Sequence, residues 1–148
     1  MEPRIVKAES LHEFKTPEHC FIAEIWSSEK ISIARARVKP GIATVSHHLE
    51  GVDEIYLVTK GKGRVEVGTV KPTEVAAGDM VFIPAGTTQR ITNIGKTDLL
   101  FYCVCTPRFT EDCYRHEGTK KQASKATGDA KAKLRHKSKI LVGEAALV

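Results

Sequence analysis

Between residues 21 and 105 apolar positions alternate with polar ones, or gather in short apolar runs, and a turn-forming residue interrupts the chain after almost every run. This two-residue period is that of strands with one buried face, not the 3.6-residue period of helices. It predicts strands over Phe21 to Trp26, Lys30 to Val38 (KISIARARV), Thr44 to Leu49, Glu54 to Thr59 (EIYLVT), Arg64 to Val70, Thr73 to Ala76, Met80 to Ile83, Gln89 to Thr92 and Leu99 to Cys105 (LLFYCVC). Val, Ile, Thr, Tyr and Phe dominate these runs, as expected for side chains that pack on a pleated surface. Gly51, Gly61-Lys62-Gly63, Pro72, Gly78-Asp79, Pro84-Ala85-Gly86, Asn93 and Gly95 read as the turns between them. Many short strands at near-regular spacing predict an all-β sandwich or barrel. Helix is expected only near residues 8–15 and close to the carboxyl terminus.

Composition changes this picture at one end of the chain. The 148 residues carry a formal net charge of +5, but residues 1–114 hold 14 Lys and Arg against 15 Asp and Glu, whereas residues 115–148 hold 9 against 3. We therefore expect a nearly neutral folded domain over 1–114 and a basic appendage over 115–148. The appendage is poor in aromatic and β-branched residues, so it is expected to be partly disordered, with a short helix over Asp129 to Val142. Lacking stacking aromatics or a recognised motif, it does not predict nucleic-acid binding. No window is long and apolar enough to span a membrane and the amino terminus lacks a signal-like apolar run, so a cytoplasmic protein is expected. Four cysteines, Cys20, Cys103, Cys105 and Cys113, suit free thiols better than a disulfide scaffold. Cys103 and Cys105 lie two apart on one strand, share a face, and read as small buried hydrophobes.

Two segments have a spacing more specific than strand propensity. The first runs Gly41, five residues, His47-His48-Leu49, four residues, Glu54, six residues, Gly61; the second runs Gly78, five residues, Pro84-Ala85-Gly86, two residues, Gln89, three residues, Asn93. Together they resemble the two motifs of the cupin family, the small jelly-roll β-barrels, over about residues 30–106. The resemblance implies a cupin-type barrel and a homodimer, a partner choice that also fits strands with apolar residues on both faces.

In metal-binding cupins two His and a Glu of the first motif and a His of the second hold one divalent cation. Leu49 and Gln89 stand at two of those positions here. The resemblance therefore implies a metal set of His47, Glu54 and Gln89, for Fe, Mn, Ni, Co or Zn, the Gln carbonyl being a weaker donor than imidazole. Strand alternation turns His47 and Leu49 to one face and His48 to the other, and puts Tyr56 on the face of Glu54. His48 and Tyr56 are thus candidate ligand contacts, His48 only if a bulge re-aims it.

Three functions fit these residues. A divalent metal in the barrel would act on, or sense, a small polar molecule, in the manner of an isomerase or dioxygenase. A metal-free barrel would bind a sugar or nucleotide-sugar without turnover. A buried hydrogen-bond network alone would leave a structural module. No catalytic residue can be named from the sequence, because a fold of this kind hosts many chemistries.

Overall fold

The structure is a computed structural model, and it describes residues 1–116. Eleven strands are formed: β1 (Phe14–Lys15), β2 (Phe21–Ser27), β3 (Ser32–Val38), β4 (His47–Leu49), β5 (Asp53–Lys60), β6 (Lys62–Val67), β7 (Thr73–Ala76), β8 (Met80–Ile83), β9 (Gln89–Asn93), β10 (Leu99–Thr106) and β11 (Tyr114–His116). They make two antiparallel sheets, one in the order β1-β2-β3-β10-β5-β8 and the other β11-β4-β9-β6-β7. The inner faces of the two sheets supply the core. Ile83, Ile91, Leu99 and Val38 are almost completely buried there. Each stabilises the fold by about 1.5–3 kcal/mol relative to an exposed side chain. The expected jelly-roll barrel is what forms.

Every strand expected from the alternation is present, and the differences lie at ends. β4 begins only at His47, because the chain before it has other partners. The Thr44 hydroxyl bonds both the carbonyl and the amide of Ile91, and the Val45 amide donates to the Glu18 carbonyl. The expected turn Gly61-Lys62-Gly63 contracts to Gly61, and β6 starts at Lys62. A Cβ on Gly63 would lie 3.0 Å from Leu99 and 3.2 Å from Ile91, so a small residue there admits the core. The expected helical region near residues 8–15 holds one 3-10 turn at Ala8–Ser10 and then β1.

One difference bears on the site. β11 crosses the expected domain boundary, so Arg115 and His116 pair with the barrel through His48 and His47 of β4. Cys113 and Tyr114 carry the chain there, packing with Leu49, Val52 and Cys105 in a second, smaller core cluster. The rest of the expected basic appendage, residues 117–148, lies outside the described residues, as does its expected helix. Among the described residues no helix is long and apolar enough to cross a membrane.

The two motifs act mainly as joints. Asn93 donates to the carbonyls of Val38 at 2.8 Å and Thr97 at 2.9 Å and accepts from the Gly95 amide at 2.9 Å, tying β9 to β3 of the opposite sheet. Gly61 turns the chain from β5 in one sheet to β6 in the other at φ +86°. A Cβ there would stand 2.8 Å from the Asp98 carbonyl oxygen, so both the backbone angle and the space require glycine.

Candidate functional site

The barrel encloses a cleft of about 750 Å³, including its solvent-open mouth. Inward-facing residues of six strands and of the connections around them build it. β2 presents Ile22 and Glu24, β3 Ala34 and Ala36, β5 Glu54 and Tyr56, β10 Phe101, Cys103 and Cys105, and β4 His47 and Leu49. Cys103 and Cys105 thus share a face as strand alternation requires. Glu18 comes from the turn before β2. The Thr16 hydroxyl donates to the Cys20 carbonyl and accepts from the Glu18 amide, a local turn that buries Glu18.

His47, Glu54, Gln89 and Tyr56 are brought together. His47 stands opposite Gln89 across β4 and β9, and its ring stacks on Tyr114 with 4.7 Å between centroids. Its Nδ1 lies 2.8 Å from the Val45 carbonyl oxygen, which can only accept, so Nδ1 carries a proton and donates it there. Gln89 is buried behind Tyr56 rather than in the cleft wall. Its Oε1 accepts from the Tyr56 hydroxyl, and its Nε2 donates to Glu54 Oε2 at 3.3 Å. Burial pushes the Tyr56 hydroxyl well above its usual pKa, and Glu54 adds to the shift, so Tyr56 stays protonated and acts as the donor.

His48 is not brought into this group. Its side chain turns away from the cleft, as alternation requires, with Nε2 3.9 Å from a Glu50 carboxylate oxygen. It is therefore not a cleft contact.

The expected metal set can be tested against these contacts. Gln89 would have to offer its carbonyl, but that oxygen receives the Tyr56 proton while the amide nitrogen faces Glu54. Reversing the amide would set its oxygen against a Glu54 oxygen. His47 and Glu54 then remain, too few for a tightly held divalent ion. Among the described residues no group of three or more His, Cys, Asp or Glu converges so as to hold a metal ion. The residues present do not fit the metal centre implied by the motif resemblance.

Three cleft residues escaped the sequence reading. Glu18 precedes β2 and Glu24 lies at its middle, both outside the two motifs. Tyr114 follows an irregular connection, and His116, set aside with the other histidines near the chain ends, is the pairing partner of His47. The Tyr114 ring contacts both histidines, with its centroid 4.9 Å from that of His116. Burial raises its pKa, and the neighbouring Glu18 raises it further.

Comparison with known proteins agrees with this architecture. A cupin-domain family model matches residues 34–105. An uncharacterized protein of Methanocaldococcus jannaschii is 35% identical over 95 residues, covering 64% of this chain and 71% of its own. An oxalate-binding protein of Thermotoga maritima is 34% identical over 86 residues, covering 58% and 70%. The crystal structure of a predicted oxalate decarboxylase from Thermotoga maritima superposes with a TM-score of 0.65 at 27% identity, over 70% of this chain and 99% of that one. With two motifs in register on a two-sheet antiparallel barrel, the chain belongs to the cupin family.

Proposed function

We propose that this chain is a cupin that binds a small molecule in its barrel without a metal ion. The observation that carries the reading is the Gln89 amide, whose two ends are held by Tyr56 and Glu54. At the position where metal-binding cupins have a ligand, this chain has a residue that orients a carboxyl group instead. Glu54 is thereby fixed on β5 while His47 is fixed by its Nδ1 bond, and the two stand on the cleft wall as preset polar contacts. Ordering them before ligand arrives lowers the entropy lost on binding. The apolar remainder, with Ile22, Ala34, Ala36 and Phe101, would enclose the ligand's body.

Metal analysis of the full chain, combined with a thermal-shift screen, tests the proposal. Purified protein is expected to hold no stoichiometric metal and to keep its melting temperature in a chelator, while a small organic ligand raises that temperature. Gln89→His, which restores an imidazole beside His47 and Glu54, is expected to gain affinity for Ni, Co or Zn. A metal retained one to one by the unaltered chain, and lost in His47→Ala, would overturn the reading.

A further inference from the structure

The larger sheet has a second face, turned away from the cleft. Ile55 and Leu57 alternate on β5 with the cleft residues Glu54 and Tyr56, and Tyr102 and Val104 alternate on β10 with Phe101, Cys103 and Cys105. On β3, Arg35 alternates with the cleft residues Ala34 and Ala36. Cross-strand pairing sets these outward side chains in two rows. Phe82, Ile55 and Val104 form one row, and Met80, Leu57, Tyr102 and Arg35 form the other. All but Arg35 are apolar or aromatic, so the face is one contiguous apolar patch that ends on a cation.

Arg35 supplies an independent observation. Its Nε is buried, and no hydrogen-bond partner meets that atom among the described residues. Arg37, two positions along the same strand, differs, since its guanidinium bonds Glu13 and Asp98. A buried guanidinium donor without an acceptor is costly, and the planar fork of Arg suits a carboxylate brought by a covering surface.

The two rows are self-complementary under one operation. A two-fold axis running along the strands, midway between β5 and β10, exchanges β10 with β5 and β3 with β8, and keeps each row at its own level. Leu57 then faces Tyr102 of the second copy, Ile55 faces its Val104, and Arg35 comes to its Met80 edge. Asp79 precedes Met80 there, exposed, and its Oδ2 is held at that edge by the Ala76 amide at 2.8 Å. Cation and carboxylate thus stand at opposite sides of one face, where the axis brings them together. β3, β10 and β5 are seven or eight residues long and β8 is four. At about 4.8 Å per strand and about 3.4 Å per residue they present roughly 400 Å² on each copy before side-chain relief is added. Two such faces approach the ~1,000 Å² that a specific interface needs.

We propose that two copies of this chain pack face to face through the β3-β10-β5-β8 surface about that axis, with Arg35 of each copy against Asp79 of the other. The apolar rows supply the buried area, and the paired charges fix the register of one face on the other.

Sedimentation velocity on the full chain tests it. The unaltered chain is expected to sediment as a dimer at micromolar concentration. Leu57→Glu changes a side chain already exposed in the single copy, and is expected to sediment as a monomer with an unchanged circular dichroism spectrum. Arg35→Glu and Asp79→Lys each set like charges together at both symmetry-related contacts, and are each expected to weaken the dimer on the order of tenfold or more. An equimolar mixture of these two variants is expected to recover the dimer. In the mixed pair one contact carries both substitutions, with opposite charges again, and the other contact is unaltered. An unaltered chain still monomeric at about 100 µM, or a dimer equally tight in Leu57→Glu, would overturn this face as the interface. Charge variants that dimerise as tightly as the unaltered chain, or a mixture no tighter than either variant alone, would overturn the pairing of Arg35 with Asp79 and with it the axis.

Discussion

Gln89 shows how much chemistry one residue type decides. Imidazole at this position would offer a lone pair, whereas the amide offers a donor on one side and an acceptor on the other. Tyr56 and Glu54 take up those two roles. Tyr56→Phe removes the hydroxyl and leaves the buried Gln89 carbonyl without that partner. It is expected to cost about 1–3 kcal/mol, read as a lower urea midpoint with unchanged slope. The same hydroxyl gives a pH signature. Its folded pKa is raised by burial and Glu54, so its contribution to stability is complete below the ordinary tyrosine value of about 10 and declines as pH rises above it. Alkaline unfolding monitored by tyrosinate absorbance is expected to start later in Tyr56→Phe than its lower neutral stability would suggest. An equal alkaline loss in both proteins would count against this assignment.

Among the elements, the corner between β5 and β6 is the most constrained. Gly41, Gly51 and Gly78 also have positive φ, yet a Cβ at each would meet nothing within 4 Å. Alanine at Gly41 or Gly78 is thus expected to cost only the left-handed backbone penalty, about 1–2 kcal/mol. At Gly61 the added methyl would also press on the Asp98 carbonyl, which belongs to the backbone and cannot rotate away. Gly61→Ala is expected to lose more stability than Gly41→Ala by about 1–3 kcal/mol, measured by denaturant unfolding. Equal losses would show that the β10 backbone yields at this corner. The motif glycines are alike in sequence and unlike in consequence, since the difference comes from a strand almost 40 residues further on.

Across the whole molecule, the outer face of the six-stranded sheet stands out. β8 is its last strand, and Leu57, Met80 and Phe82 are 42%, 57% and 51% exposed there. Leu57 pairs with Met80 and Ile55 with Phe82, so these side chains adjoin on one surface. A solvent-facing apolar edge strand favours self-association. The homodimer expected from the sequence would use this face. The Met80→Lys/Phe82→Lys double variant is therefore expected to sediment as a monomer under conditions where the unaltered chain sediments as a dimer. A dimer that persists in the variant would move the interface elsewhere.

How far the sequence reaches differs between fold and site. Alternation of Ile, Val, Tyr and Phe with polar residues, punctuated by glycine and proline, determined the strands, because a half-buried strand imposes its period on its own residues. The paired motifs pointed to the family, and the resemblance to it implied that His47, Glu54 and Gln89 lie near one another. Strand alternation was enough to turn His48 away. Tertiary structure alone decided which partners Gln89 takes, since Tyr56, Glu54 and His47 reach it from other strands. It also decided that Glu18, Glu24 and Tyr114 share the cleft. Those residues belong to no motif and lie 90 or more positions apart at the extremes. Their proximity follows from the pairing of β11 with β4 and the order of the larger sheet, which are long-range contacts that no local pattern encodes.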